Sequence, residues 1–374
     1  MPPPRGPPRK TTMTLTLTID TARWREHHRG VLDGYPGLVP VCKGNGYGFG
    51  LHRLMRETTR LGIRLAAVGT VQEAALVQDS FPGDLLVLTP YRNGEASPAL
   101  SERTIRVVSS PEHCDGLAGH RVVIELRSSM RRHGITEADL PALRPVMSGW
   151  EFEGFSIHLP LNRVGGLGGA EEVASWVRRL RAERMPLHHV FVSHLTAEEM
   201  AGLHAEFPRT RFRLRTGTKL WLGAPEATRY SSPVLDVTRP EREDRPGAGR
   251  RQRDSGRHLI VVAGGISHGV GLRAPRLLSG LRDRARHVAG IGHACLNHHL
   301  SPFVWDGVRC RFAAPPGLQE SVLLVPGDSP RPKVGDEVAV QLRYTITRPD
   351  RVVDEPRVPP AASAVTGGPA PEQG

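Results

Sequence analysis

Residues 64–90 read RLAAVGTVQEAALVQDSFPGDLLVLTP. An apolar run, RLAAVG (64–69), leads into an amphipathic stretch near 71–79 and then into a second apolar run, DLLVLTP (84–90). Strand, helix, strand is the repeating unit of a parallel sheet. The pattern recurs on both sides. LVPVC (38–42) passes through a glycine-rich turn to a helix near 51–62. TIRVVSS (104–110), RVVIELR (121–127), FEGFSIH (152–158), HHVFVSH (188–194) and RFRLR (211–215) are further strands, with helical patterns near 137–147, 169–184 and 196–206. Eight such β units predict an α/β domain, a (β/α)8 barrel rather than an open sheet.

After residue 230 the texture changes. HLIVVAGGI, ARHVAGIGHACL (285–296), GVRCRFAA, ESVLLVPG and DEVAVQLRYTIT are strand-like runs between Gly/Pro turns, which predicts a C-terminal all-β domain. MTLTLTID (13–20) alternates apolar residues with threonines and reads as a half-buried strand outside the barrel pattern. The expected division is a disordered tail at 1–12, a barrel domain over 13–230, a β-domain over 231–354 and a second disordered tail at 355–374. A charged insertion, 239–257, carries seven arginines against four acids and reads as a solvated loop.

Composition narrows the function classes. The formal charge of +12 suggests a nucleic-acid partner, but only four of the 50 basic residues are lysines. The arginines are spread along the chain without a basic block interleaved with aromatics, so no nucleic acid is expected. No apolar run is long enough for a membrane span, and the N-terminus has no apolar core of a secretory signal, so a cytoplasmic protein is expected. Cys42, Cys114, Cys295 and Cys310 have no CxxC spacing, so neither a disulfide framework nor a metal site is expected.

The chemistry concentrates at 39–50, VPVCKGNGYGFG. Lys43 ends a buried strand and is followed by four glycines in seven residues. In a (β/α)8 barrel that end of each strand is the active-site face. Desolvation there disfavours the ammonium form and prepares a lysine for Schiff-base chemistry. A P-loop is excluded because its lysine follows the glycines. The competing reading is a lysine snorkelling from a strand end. Elsewhere Lys10 falls in a tail, Lys333 in a PKVGDE turn, and Lys219 at another strand end, TGTKLW.

The Lys43 segment resembles the cofactor-lysine motif of the alanine racemase family, roughly VVKANAYGHG, which are fold-type III pyridoxal 5′-phosphate (PLP) enzymes. GTVQEAALV (69–77), IELRSSMRRHGI (124–135), EGFSIHLP (153–160), LRTGTKLWLG (214–223), VVAGGISHGVGL (261–272), GIGHACLN (290–297) and KVGDEV (333–338) are similar to further family motifs, in the same order. The resemblance implies a PLP barrel plus a β-domain, with the first strand, 13–20, joining the β-domain. It also implies a homodimer. Residue by residue, it makes Lys43 the covalent cofactor lysine. Tyr47 and Ser193 become phosphate ligands, as do the backbone N–H groups of Gly217 and Thr218. It sets His158 against the pyridine ring and Arg215 facing the pyridine nitrogen.

Two departures stand out. The family's often carbamylated lysine is Glu125 here, itself an anion, and the resemblance pairs it with Arg132. The family's tyrosine, which serves the substrate face opposite the lysine from the other subunit, is Ile266 here. Isoleucine transfers no proton; the nearest titratable replacement is His268, with an ordinary loop histidine as the alternative. The family's Met-Asp pair near the substrate carboxylate becomes Leu296-Asn297. The expected function is a PLP-dependent amino-acid racemase, on alanine or a related small amino acid. The alternatives are a non-catalytic or regulatory PLP-binding protein, or a PLP enzyme with another outcome, such as a decarboxylase.

Overall fold

A computed structural model of the chain describes residues 14–161, 168–239, 258–272 and 299–355. Both tails, the insertion from residue 240 to 257, the strand-like run at 285–296 and Leu296-Asn297 lie outside the described residues. The chain forms two compact units. One spans Arg25–Gly223; the other joins the stretch up to Trp24 to the chain from Ala224 onward.

The chain opens with β1 (Thr16–Asp20) and α1 (Thr21–Gly34). The barrel unit then runs β2 (Val39–Pro40), α2 (Leu51–Arg60), β3 (Leu65–Val68), α3 (Val71–Val77), β4 (Asp84–Val87), β5 (Thr104–Val108) and β6 (Arg121–Leu126). It continues with α4 (Leu140–Met147), β7 (Glu151–Ile157), α5 (Gly169–Ala182), β8 (His189–Val192), α6 (Ala197–Glu206), β9 (Arg211–Thr216) and α7 (Thr218–Leu222). All eight strands are parallel, in the order β2-β9-β8-β7-β6-β5-β4-β3. A bridge between Val41 and Ala67 joins the two ends of that order and closes the barrel.

The pleat explains why the strands read as unbroken apolar runs. Val39, Val41, Leu65, Ala67, Leu86, Ile105, Val107, Val123 and Phe191 form one buried cluster inside the barrel. Their neighbours on the opposite faces, such as Ala66, Val68, Leu85, Val87, Val108, Val122 and Ile124, are buried too. A strand covered on both faces has no polar side to show. At Gly154 the register of β6 against β7 shifts. Its φ is +139°, and a Cβ there would sit 2.3 Å from the His189 carbonyl oxygen, so only glycine fits.

The second unit contains β10 (Thr228–Thr238), β11 (His258–Ala263), β12 (Leu300–Trp305), β13 (Val308–Phe312), β14 (Glu320–Val325), β15 (Glu337–Val340) and β16 (Arg351–Glu355). Antiparallel pairing runs β11-β14-β13-β12-β15-β10, and β10 returns to β11, which makes a closed ring. β1 pairs with β10 and, in parallel, with β16, so the N-terminal strand belongs to this sheet. Asp306-Gly307, both at positive φ, form the tight turn between β12 and β13. Among the described residues no helix is long and apolar enough to cross a membrane.

α1 is absent from the sequence reading. Its buried side comprises Trp24 and His28, set among Arg and His that mask the helical period. The His28 ring is fully buried and stands edge-on to Trp221, with ring centroids 5.1 Å apart. Burial, then His27 and Arg25, push its pKa down to about 3. The unfolded chain binds this proton near pH 6.5 and the folded one does not. Stability is therefore full above pH 6.5 and falls as pH drops from there toward 3, by up to about 1.4 kcal/mol per pH unit. Urea midpoints of wild type and His28→Phe, compared between pH 7 and 5, should show a shallower acid loss in the variant. Parallel loss in both would move the acid sensitivity elsewhere.

Candidate active site at the barrel mouth

Side chains two residues apart on a strand share a face. Each strand that fills the core therefore dictates what stands one layer higher, toward the C-terminal ends. Above Val41 comes Lys43, above Ala67 Gly69, above Val123 Glu125, above Phe191 Ser193. Arg213 stacks over the Phe191 ring and Arg215 follows it; Ser156 meets Glu125, and His158 follows that. One layer thus gathers Lys43, Glu125, His158, Ser193 and Arg215.

Lys43 is exposed at the mouth and makes no hydrogen bond or ion pair among the described residues. Partial burial first, then Arg132 and Arg215, hold its pKa below the usual lysine range, while Glu73 opposes them. The other described lysines are differently placed. Lys219 donates to the Tyr35 hydroxyl at 2.6 Å and lies over its ring, and Lys333 sits in an exposed turn. Trp221 of α7 donates to the Val41 carbonyl at 2.9 Å and so anchors the backbone leading to Lys43.

The glycine-rich turn carries Tyr47 back over the mouth. Tyr47 is buried and has φ +55°, a left-handed conformation that costs a non-glycine residue energy and needs support from its surroundings. Its hydroxyl lies against Gly217, where a Cβ would stand 1.9 Å from it. Gly217 and Thr218 open α7. Burial pushes the Tyr47 pKa well above the usual phenol range, so the hydroxyl keeps its proton.

Arg215 is 6% exposed. Its Nη1 faces Glu125 Oε2 at 3.8 Å, while Nε and Nη2 are buried without a hydrogen-bond partner among the described residues. The Ser156 hydroxyl donates to the same Glu125 oxygen. Glu125 therefore pairs with Arg215 and not with the expected Arg132. The reason is the pleat: Glu125 and Arg215 both lie on strands and point inward, whereas Arg132 is an exposed residue of the loop after β6. Arg132 still acts on the site at longer range, through its charge on Lys43, His158 and Arg215.

His158 is half-buried and edge-on to His194, with centroids 5.2 Å apart. Burial, then Arg215 and other cations, push its pKa down to about 3, so the ring is neutral at ordinary pH. Ser193 Oγ accepts the Leu159 N–H at 3.0 Å and keeps its own proton to donate. The Ser128 hydroxyl donates to the His158 carbonyl at 2.5 Å.

Sequence reasoning missed Glu73, Ser156 and His194. Thr70-x-x-Glu73 has the spacing of a helix capping box, which assigns Glu73 to its own helix. Thr70 Oγ1 does accept the Glu73 N–H at 3.2 Å. The carboxylate, however, accepts the N–H groups of Gly44 and Gly69, each at 2.7 Å.

The chemistry of this set suits PLP. An aldehyde needs a free amine, a phosphate needs proton donors, and a ring nitrogen facing a guanidinium needs an N–H with no other partner. Lys43, Ser193 with Tyr47, and the two orphaned nitrogens of Arg215 are those groups. Among the described residues no cluster of three His, Cys, Asp or Glu could hold a metal ion. A surface hollow of about 510 Å³ lined by Arg181, Arg184, Arg209 and Thr210 lies at the other end of the strands and includes none of the mouth residues.

In the second unit, Ile266 is 46% exposed and His268 only 6%. His268 Nδ1 accepts the Gly265 N–H at 3.1 Å, which leaves Nε2 to donate to Asp350 at 3.0 Å. Both ring nitrogens are hydrogen-bonded and the ring is buried, so His268 is not the exposed loop histidine that stood as the alternative, and in this geometry it braces the loop.

Residues 19–166 match the family model of the alanine racemase N-terminal domain. The alanine racemase of Nitratidesulfovibrio vulgaris is 31% identical over 117 residues, 29% of this chain and 32% of that protein. The alanine racemase of Rhodospirillum rubrum is 28% identical over 146 residues, 36% of this chain and 39% of that one. The matched stretches thus span about a third of these curated relatives. Solved structures extend the likeness in fold. Alanine racemase from Bartonella henselae, with covalently bound pyridoxal phosphate, superposes with a TM-score of 0.62 at 16% identity, covering 89% of this chain and 91% of that one. Alanine racemase from Corynebacterium glutamicum gives 0.61 at 17% identity, covering 92% and 100%. By sequence, then, residues 19–166 match the alanine racemase N-terminal domain, and by fold the chain is similar to solved alanine racemases.

Proposed function

We propose that this chain is a PLP-dependent racemase of a small amino acid, alanine first, working in the cytoplasm as a homodimer and supplying the D-enantiomer. The observation that carries this reading is one layer of the barrel mouth holding a lysine amine and two N–H nitrogens of a buried arginine, none with a hydrogen-bond partner among the described residues, and a serine hydroxyl with a proton to donate. Lys43 would carry the cofactor; Tyr47, Ser193 and the backbone at Gly217 and Thr218 would hold its phosphate; His158 would face its ring and Arg215 its ring nitrogen. When bound, PLP withdraws electrons from the α-carbon of an attached amino acid and makes its proton labile.

The chain's own groups do the rest. Lys43 Nζ takes and returns the α-proton on its face, and its lowered pKa leaves more of the free amine near neutral pH. Arg215 does not give up a proton, so it would offer a ring nitrogen set against it a hydrogen bond but no charge. Held so, the cofactor would supply weaker electron withdrawal, which would favour quick return of the proton by Lys43 over transamination. Glu125 balances the Arg215 charge without the carbon dioxide that a carbamylated lysine needs. His158, neutral, offers a flat uncharged surface.

A specific observation favours a second reading. Ile266 transfers no proton and His268 is bonded at both nitrogens, which suits a protein that keeps the cofactor without racemising. NMR of the α-proton of L- and D-amino acids in deuterated water separates the two. Exchange with inversion on L-alanine is the expected result. Exchange with retention, or none, would favour the second reading, and Ile266→Tyr should then raise inversion.

Lys43→Ala should abolish borohydride trapping of PLP on the peptide around residue 43. Label persisting in that variant on Lys219 would undo the site. Gly217→Ala forces Tyr47 aside and should weaken PLP binding about tenfold, the effect of one lost polar contact to a charged group. Unchanged binding would take Gly217 and Tyr47 out of the phosphate site.

A further inference from the structure

We infer that Glu73 is the positioning residue for Lys43, holding the lysine at the barrel's seam by gripping the peptide that follows it. The inference rests on Lys43 being the cofactor lysine.

The sheet order ends in β2 on one side and β3 on the other. Between them stand only the Val41–Ala67 bridge and the Cys42 N–H bond to the Ala67 carbonyl, 2.7 Å. β2 has two residues, and its Pro40 has no N–H to give. Above Cys42 the chain leaves the sheet for the glycine-rich turn, so the ladder stops at the residue before Lys43. The seam is the least paired stretch of the barrel, and Lys43 stands at its upper edge.

Glu73 supplies what the ladder lacks. One carboxylate oxygen accepts the Gly44 N–H, part of the peptide unit that leaves Lys43; the other accepts the N–H of Gly69, one layer above Ala67 on the β3 side. Both bonds are 2.7 Å, the short length of hydrogen bonds to a charged acceptor. The Gly69 carbonyl in turn accepts both the N–H and the hydroxyl of Thr89, at 2.9 and 2.6 Å, which ties this point to the chain after β4. Space is tight: a Cβ on Gly69 would lie 2.8 Å from Glu73 Oε2 and 3.2 Å from Lys43 Cβ. The clamp thus fixes the root of the lysine and leaves its arm free. Its charge also opposes the pull of Arg132 and Arg215 on the amine.

A structural cap and a positioning clamp differ in what they do to Lys43. The test measures, in the full chain, the pH profile of acetylation of each lysine by N-hydroxysuccinimidyl acetate, which needs no cofactor, and PLP binding by borohydride trapping. Val77→Ala, a buried residue of the same helix, controls for stability. Glu73→Gln should shift the Lys43 profile to lower pH, leave Lys219 unchanged and weaken PLP binding about tenfold or more. Glu73→Asp keeps the charge but, one methylene shorter, cannot span both N–H groups. It should leave the profile in place and still weaken binding, and it decides the matter if the glutamine variant does not fold. If both Glu73 variants match Val77→Ala in profile and binding, Glu73 is a helix cap and the inference is overturned. If wild type does not trap PLP on Lys43 yet its acetylation profile depends on Glu73, the cofactor reading fails and the clamp stands.

Discussion

The pleat of the barrel strands is the constraint from which the candidate site follows. Closing eight parallel strands requires an interior filled by alternate side chains, and here those are valine, leucine, isoleucine, alanine and phenylalanine. Once Val41, Val123 and Phe191 point inward, Lys43, Glu125 and Ser193 must rise above them on the same face. The strands cannot slip by one residue without turning the core outward. The register that the core enforces is therefore also the register of the mouth. Strand register alone brings residues 125, 158, 193 and 215 together, although they are far apart in sequence; Lys43 lies just past the end of the β2 ladder, where the Glu73 carboxylate accepts the next N–H, that of Gly44.

That economy carries an electrostatic penalty. Among the described residues, Arg215 is buried with one ionic partner and two nitrogens without a hydrogen bond, and buried charges are tolerated only when paired and hydrogen-bonded. Glu125 answers the charge but at 3.8 Å, longer than a good hydrogen bond, while Ser156 steadies its carboxylate. Burial first, and then the cation excess at the mouth, lowers the pKa of both Lys43 and His158. An anion entering the mouth relieves this repulsion, so the arrangement stores affinity for negatively charged groups.

The same physics sets what could be read beforehand. Strands buried on both faces appear as apolar runs, so all eight were legible, as was β1 through its alternation with threonine. α1 was not, because its buried side includes a histidine and its exposed side is dense with arginine and histidine. β10 was hidden by Pro233 and by its serines, which pair in the sheet through backbone groups that no side-chain pattern reveals. In the site, residue types at strand ends were legible but their pairings were not. Glu125 has an arginine seven residues away in sequence, yet its partner arrives from β9, ninety residues on, through barrel closure. Glu73 sits in a capping spacing that points to Thr70, while its carboxylate serves a seam that exists only once the sheet has closed.

His268 shows how much a single buried imidazole can hold together in the β-unit. Its ring is tied to Gly265 on one side and to Asp350 on the other, and Asp350 also accepts the Leu15 N–H at 3.0 Å through its second oxygen. The Asp350 N–H in turn donates to the Leu15 carbonyl. One histidine thus braces the loop at 264–269, the start of β1 and the approach to β16. Swinging it out to meet a substrate would break the Gly265 and Asp350 bonds together and leave the buried Gly265 N–H unpaired, at a cost of about 1–3 kcal/mol, while exposed Asp350 would keep the Leu15 N–H. A proton donor has to move its proton without dismantling its own support. Ile266, by contrast, is exposed, so a larger side chain at that position would meet solvent and not a packed neighbour.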